Sequence, residues 1–157
     1  MPRILLINPL IHDFVAYDLW LKPLGLLYVA SFMEQYGYQV DFADCLNKYH
    51  PEILKLQNIT APKEKKFGCG YFYFEKISKP AIFKNIPRIY KRYGYPSEIL
   101  KNEFKKLEPP DIIGVTSSMT YWYPGVFETI KTAREFFGKT PIVLGGIYAS
   151  LCYDHAI

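Results

Sequence analysis

Two short stretches carry residue types suited to holding a flat or phosphorylated ligand: Thr116-Ser117-Ser118-Met119-Thr120 and Gly145-Gly146-Ile147-Tyr148. Hydroxyl side chains bring both donors and acceptors, and paired glycines let a ligand come close to the backbone. Each stretch follows an apolar run that reads as a buried strand, Ile112-Ile113-Gly114-Val115-Thr116 in the first case and residues 141–144 in the second. Two further strand ends read Asn8-Pro9-Leu10 and Asp44-Cys45. In an open parallel sheet, ligands bind outside the carboxyl ends of the strands, beside the point where the strand order reverses. The candidate cofactor-binding residues are therefore Asn8, Pro9, Leu10, Asp44, Thr116, Ser117, Ser118, Met119, Thr120, Gly145, Gly146, Ile147 and Tyr148. Taken singly, each loop is equally consistent with Ser, Thr and Gly making turns.

Several chemistries are excluded by what is missing. No G-x-G-x-x-G follows the first strand and no G-x-x-x-x-G-K-[ST] occurs, which argues against a nicotinamide or flavin Rossmann site and against a P-loop. A signalling receiver would need an acidic phosphoacceptor at the end of its third strand, where Ser117 and Ser118 stand. The three cysteines, Cys45, Cys69 and Cys152, are far apart and odd in number. They cannot form a fully paired disulfide framework, and no two have zinc or iron–sulfur spacing.

The elements that must position these loops are legible from periodicity. Arg3–Asn8 is a strand; residues 24–36 carry apolar side chains at helical spacing and stop at Gly37; residues 38–43 form a second strand. After the strand at Ile112, Pro124 opens a helix through Phe137 that Gly138 closes, and a last strand follows. Strand and helix alternating at these lengths predict one α/β domain over residues 1–157, an open parallel sheet with helices on both faces. Between the second and third core strands, residues 46–108 form a long insertion containing the run Tyr71-Phe72-Tyr73-Phe74, with a helix expected over residues 97–107 and Ser97 as its N-cap. The chain is 50% hydrophobic and 22% charged, the balance of a folded protein. Its net charge of +4 is uneven: residues 60–106 hold twelve of the nineteen basic residues and four of the fifteen acidic ones. No apolar run approaches the roughly 20 residues that span a bilayer. The N-terminus lacks a signal sequence, so a cytoplasmic protein with no membrane partner is expected.

The ordered set Asn8-Pro9, Lys22-Pro23-Leu24-Gly25-Leu26-Leu27-Tyr28, Tyr36-Gly37-Tyr38, Pro110-Asp111-Ile112-Ile113-Gly114-Val115-Thr116-Ser117 and Pro141-Ile142-Val143-Leu144-Gly145-Gly146-Ile147-Tyr148-Ala149 resembles the N-terminal half of cobalamin-binding radical SAM proteins. The resemblance implies a Rossmann-like, flavodoxin-like sheet that holds cobalamin. Thr116 to Thr120 would lie against the nucleotide tail, and Gly145 and Gly146 would admit its dimethylbenzimidazole. Two departures stand out. Leu10 occupies the place where a D-x-H-x-x-G motif would put the cobalt-ligating histidine, and no C-x-x-x-C-x-x-C motif occurs. The resemblance therefore implies a domain without catalytic residues of its own, cut from a longer enzyme. A C-terminal radical SAM module of that enzyme, which the resemblance implies to be a methyltransferase, would bind S-adenosylmethionine and a 4Fe-4S cluster.

Three features have competing readings. His12 is a candidate lower ligand of cobalt, or a polar loop residue. Tyr121-Trp122-Tyr123 would wall the corrin, or simply pack where a helix begins. The basic aromatic insertion, including Arg88, Lys91 and Arg92, would face the missing module or solvent. The alternative function is a non-catalytic module that uses this insertion to hold nucleic acid or protein.

Overall fold

The computed structural model describes residues 1–19 and 21–157. Its elements, in chain order, are β1 (Arg3–Asn8), β2 (Ile11–Asp13), α1 (Leu24–Gln35), β3 (Gln39–Asp44), α2 (Pro51–Leu56), β4 (Phe74–Lys76) and β5 (Lys91–Tyr93). There follow α3 (Ser97–Lys105), β6 (Ile112–Val115), α4 (Tyr123–Phe137), β7 (Ile142–Leu144), α5 (Ile147–Leu151) and α6 (Tyr153–Ala156).

The core is a four-stranded parallel sheet in the order β3-β1-β6-β7. Along β1 the alternation of a strand divides the apolar residues between two faces. Leu5 and Ile7, with Ile113 and Val115 of β6, are buried with Ile99, Leu100 and Phe104 of α3 and Val126 and Ala133 of α4. Ile4 and Leu6 face the other way and pack on Leu26 of α1, flanked by Ala30 and Met33. Each fully buried Leu or Ile contributes about 1.5–3 kcal/mol relative to exposure, so the α3–α4 face carries most of the stability. The α1 face is incompletely covered: Val143 of β7 is 56% exposed on it.

Two expectations change. The helix at residues 97–107 belongs to the core rather than to an appended loop, because Ile99, Leu100 and Phe104 all enter the main cluster. Its cap position is held by Pro96, and Ser97 is its first helical residue, with no side-chain cap bond. The remainder of the insertion also forms structure that periodicity does not reveal. β5 pairs antiparallel with both β2 and β4 in a second, three-stranded sheet, which puts His12 on a strand rather than a loop. Strands of three residues are too short to display a period of two.

The small sheet is fixed to α4 by charged side chains. Glu128 of α4 accepts from Arg92 Nε at 2.6 Å and pairs with His12 Nε2 at 2.6 Å. The preceding loop is held by Lys48, whose Nζ lies 2.9 Å from Asp18 and donates to the Gly68 carbonyl at 2.8 Å.

Candidate functional site

β3 lies on one side of β1 and β6 on the other, so the strand order reverses between β1 and β6. At that point, against the uncovered part of the α1 face, a cleft of about 630 Å³ opens. Leu6, Gly114, Val143 and Ile147 give it an apolar floor and wall, Thr116 to Ser118 and Gly145-Gly146 form its rim, and Lys22 to Leu26 of the α1 entry close the opposite side. A smaller hollow of about 70 Å³, walled by Asn8 to Ile11, Leu46, Trp122 and Val126, shares Lys22, Pro23 and Ser118 with it.

The rim is rigid because its two loops are hydrogen-bonded to each other. Gly145 N donates to Val115 O and Ile147 N to Ser117 O, both at 2.9 Å, and Ser117 Oγ donates to Gly145 O at 2.7 Å. The two glycines do different jobs. Gly146 has φ +96°, and a Cβ there would sit 2.2 Å from Ser117 O, so loop contact alone requires glycine at this position. A Cβ on Gly145 would meet nothing within 4 Å. At Gly114 it would meet only Leu6 Cδ2, at 2.7 Å.

The sequence-derived candidates fall into three groups. Thr116, Ser117, Ser118, Gly145, Gly146 and Ile147 line the cleft together. Asn8, Pro9 and Leu10 line the smaller hollow with Ser118. Asp44, Met119, Thr120 and Tyr148 line neither. Asn8 and Asp44 spend their polar groups on each other, Nδ2 to Oδ1 at 2.7 Å. Leu10 is fully buried in the main core, its N–H donating to Thr129 Oγ1 at 3.1 Å. Tyr148 is buried beneath the rim with its hydroxyl 2.7 Å from His155 Nδ1. Burial, with Cys152 and Tyr123 nearby, raises its phenol above the ordinary value. Sequence reasoning missed Lys22, Gly114 and Val143 as lining residues. The signal for Lys22 was present, a cation beside the proline that opens α1.

The residues with competing readings are also located. His12 lines neither hollow, and its Nε2 is engaged by Glu128. Of the aromatic triplet, Trp122 is buried with Nε1 donating to Asp13 at 2.8 Å, and Tyr123 packs on Tyr148 and His155; Tyr121 is exposed. Arg92 is 5% exposed and committed to Glu128, Glu75 and the Tyr95 carbonyl, so it is withdrawn from any phosphate-gripping surface. Burial and the neighbouring Asp44 raise the Cys45 thiol well above its usual range, which makes it a poor nucleophile. Among the described residues, no group of three His, Cys, Asp or Glu side chains comes together as a metal site.

No protein-family model, curated protein or solved structure matches this chain. The cleft itself has an apolar floor and a hydroxyl-bearing rim, with one cation, Lys22, among its described lining residues.

Proposed function

We propose that this chain binds cobalamin, with the nucleotide tail of the cofactor in the cleft between α1 and the ends of β6 and β7. The observation that carries the reading is the open space at Gly145 on a rigid rim, next to a sheet face that leaves Val143 exposed. A cradle that a side chain would fill, at the reversal point of a parallel sheet, suits a planar benzimidazole. Gly114, Val143 and Ile147 would flank the ring, Thr116 and Ser118 would bond the ribose, and Lys22 would meet the phosphate. The finer fold reading goes with it: core strands in the order second, first, third, fourth begin a flavodoxin-like sheet.

None of the described residues lining the two hollows is His, Cys, Asp or Glu. The chain's part is therefore to bind and orient the cofactor, not to ligate its cobalt. When bound, the cofactor supplies a metal centre able to carry a methyl group. Exposed apolar residues of α1 and its C-cap, Tyr28, Phe32 and Tyr36, suit packing against a further module. By the resemblance, that module is a radical SAM unit with its own 4Fe-4S cluster and S-adenosylmethionine, and the whole enzyme is a methyltransferase.

The test is direct. The chain is incubated with hydroxocobalamin and desalted by gel filtration, and the visible spectrum of the protein peak is recorded. Corrin bands that co-elute in stoichiometric amount are expected; a colourless protein peak would overturn the proposal.

A further inference from the structure

Away from the cleft, residues 76–92 contain six cations, Lys76, Lys79, Lys84, Arg88, Lys91 and Arg92, and no carboxylate. Phe83 and Tyr90 anchor the segment: Phe14 packs edge-on against both, with ring centroids 5.5 and 5.2 Å away. Phe83 N bonds to Pro80 O and Ile86 N to Phe83 O, each at 2.9 Å, and Lys79 Nζ also donates to the Ile86 carbonyl. The loop is thus held in one shape with its aromatic rings used internally. What it offers to solvent is aliphatic and cationic: Ile82 is 84% exposed, Ile89 52% and Ile86 37%. Lys76, Lys84 and Arg88 are exposed and, among the described residues, make no ion pair.

We infer that this loop docks the protein on an anionic lipid surface. The isoleucines enter the boundary between headgroups and acyl chains, and the exposed cations Lys76, Lys84 and Arg88 meet the lipid phosphates and carboxylates. Single-stranded nucleic acid is the poorer fit, because sequence-tolerant binding needs aromatic faces free to stack, and Phe83 and Tyr90 are occupied. An ordered loop also loses little conformational freedom on docking. The expectation of no membrane partner rested on the lack of a spanning stretch, and an interfacial loop needs none.

The test is co-sedimentation of the full chain with phosphatidylcholine vesicles, with and without roughly 30% phosphatidylserine. Binding to the anionic vesicles alone is expected. The double variant Ile82→Ser/Ile89→Ser should abolish it, and Lys84→Glu/Arg88→Glu should weaken it by about tenfold or more. All four positions are exposed, so circular dichroism should match the wild type. No sedimentation with anionic vesicles would overturn the inference. So would binding that survives the isoleucine variant, or retardation of an oligonucleotide that both double variants lose.

Discussion

At the residue scale, two adjacent glycines differ in what they permit. Gly146 is fixed by backbone geometry, with φ +96° and a virtual Cβ 2.2 Å from Ser117 O, whereas Gly145 stands in open space. Gly146→Ala should lower the unfolding free energy by on the order of 2 kcal/mol or more, from left-handed strain and overpacking together. Gly145→Ala should change it by less than about 0.5 kcal/mol. Denaturant titration of the two variants side by side checks this, and equal losses would mean that the rim is not stitched as described. Sequence alone marks the pair as important but cannot apportion it, because the reason for Gly146 lies in Ser117, in the loop after β6.

At the element scale, the question is what holds the three-stranded sheet to α4. Burial pushes the Glu128 carboxyl up, but the hydrogen bond from His12 and the charge and hydrogen bond of Arg92 outweigh it and leave it below the ordinary carboxylate value. A carboxylate with a depressed native pKa stabilises the fold fully above its unfolded pKa of about 4.3. That contribution is lost as the pH falls through the native value. Glu128→Gln should therefore cost on the order of 2 kcal/mol near neutral pH, less than a fully buried pair because the Glu128 side chain keeps 31% exposure. The gap between variant and wild type should close as the pH drops below 4.3 towards the native pKa. Stability curves measured from neutral pH down to about pH 3 give the answer, and a constant offset would show that Glu128 is not the titrating clamp. The partners in this clamp come from β2, β5 and α4, which periodicity cannot bring together. Of the two basic residues that precede Tyr93 in sequence, Arg92 is buried in the clamp while Lys91 lies 4.5 Å over the Phe74 ring.

At the scale of the whole molecule, the parallel sheet was readable because its strands are short apolar runs bounded by Pro, Gly and Asp, and because glycines close the helices. β1 runs over Arg3–Asn8 as the pattern indicates, and α4 ends where Gly138 takes φ +56°. The second sheet was not readable, since its order comes from ion pairs and ring packing between distant segments. The cleft was half readable. Strand ends supplied Thr116 to Ser118 and Gly145 to Ile147, but the α1 wall from Lys22 to Leu26 enters only because α1 covers β1 and leaves β7 bare. The central claim is that this cleft holds the nucleotide tail of cobalamin, and Gly145 is the place to test it, because it lines the cleft and a Cβ there meets no protein atom within 4 Å. Wild type and Gly145→Val are titrated with hydroxocobalamin and followed by tryptophan quenching and visible absorbance, with thermal melts confirming that both are folded. Saturable binding by the wild type, weakened by about a hundredfold or more in Gly145→Val, is the predicted result, as expected when a side chain occupies a pocket that excludes it. Equal affinity in the two folded proteins would contradict the account.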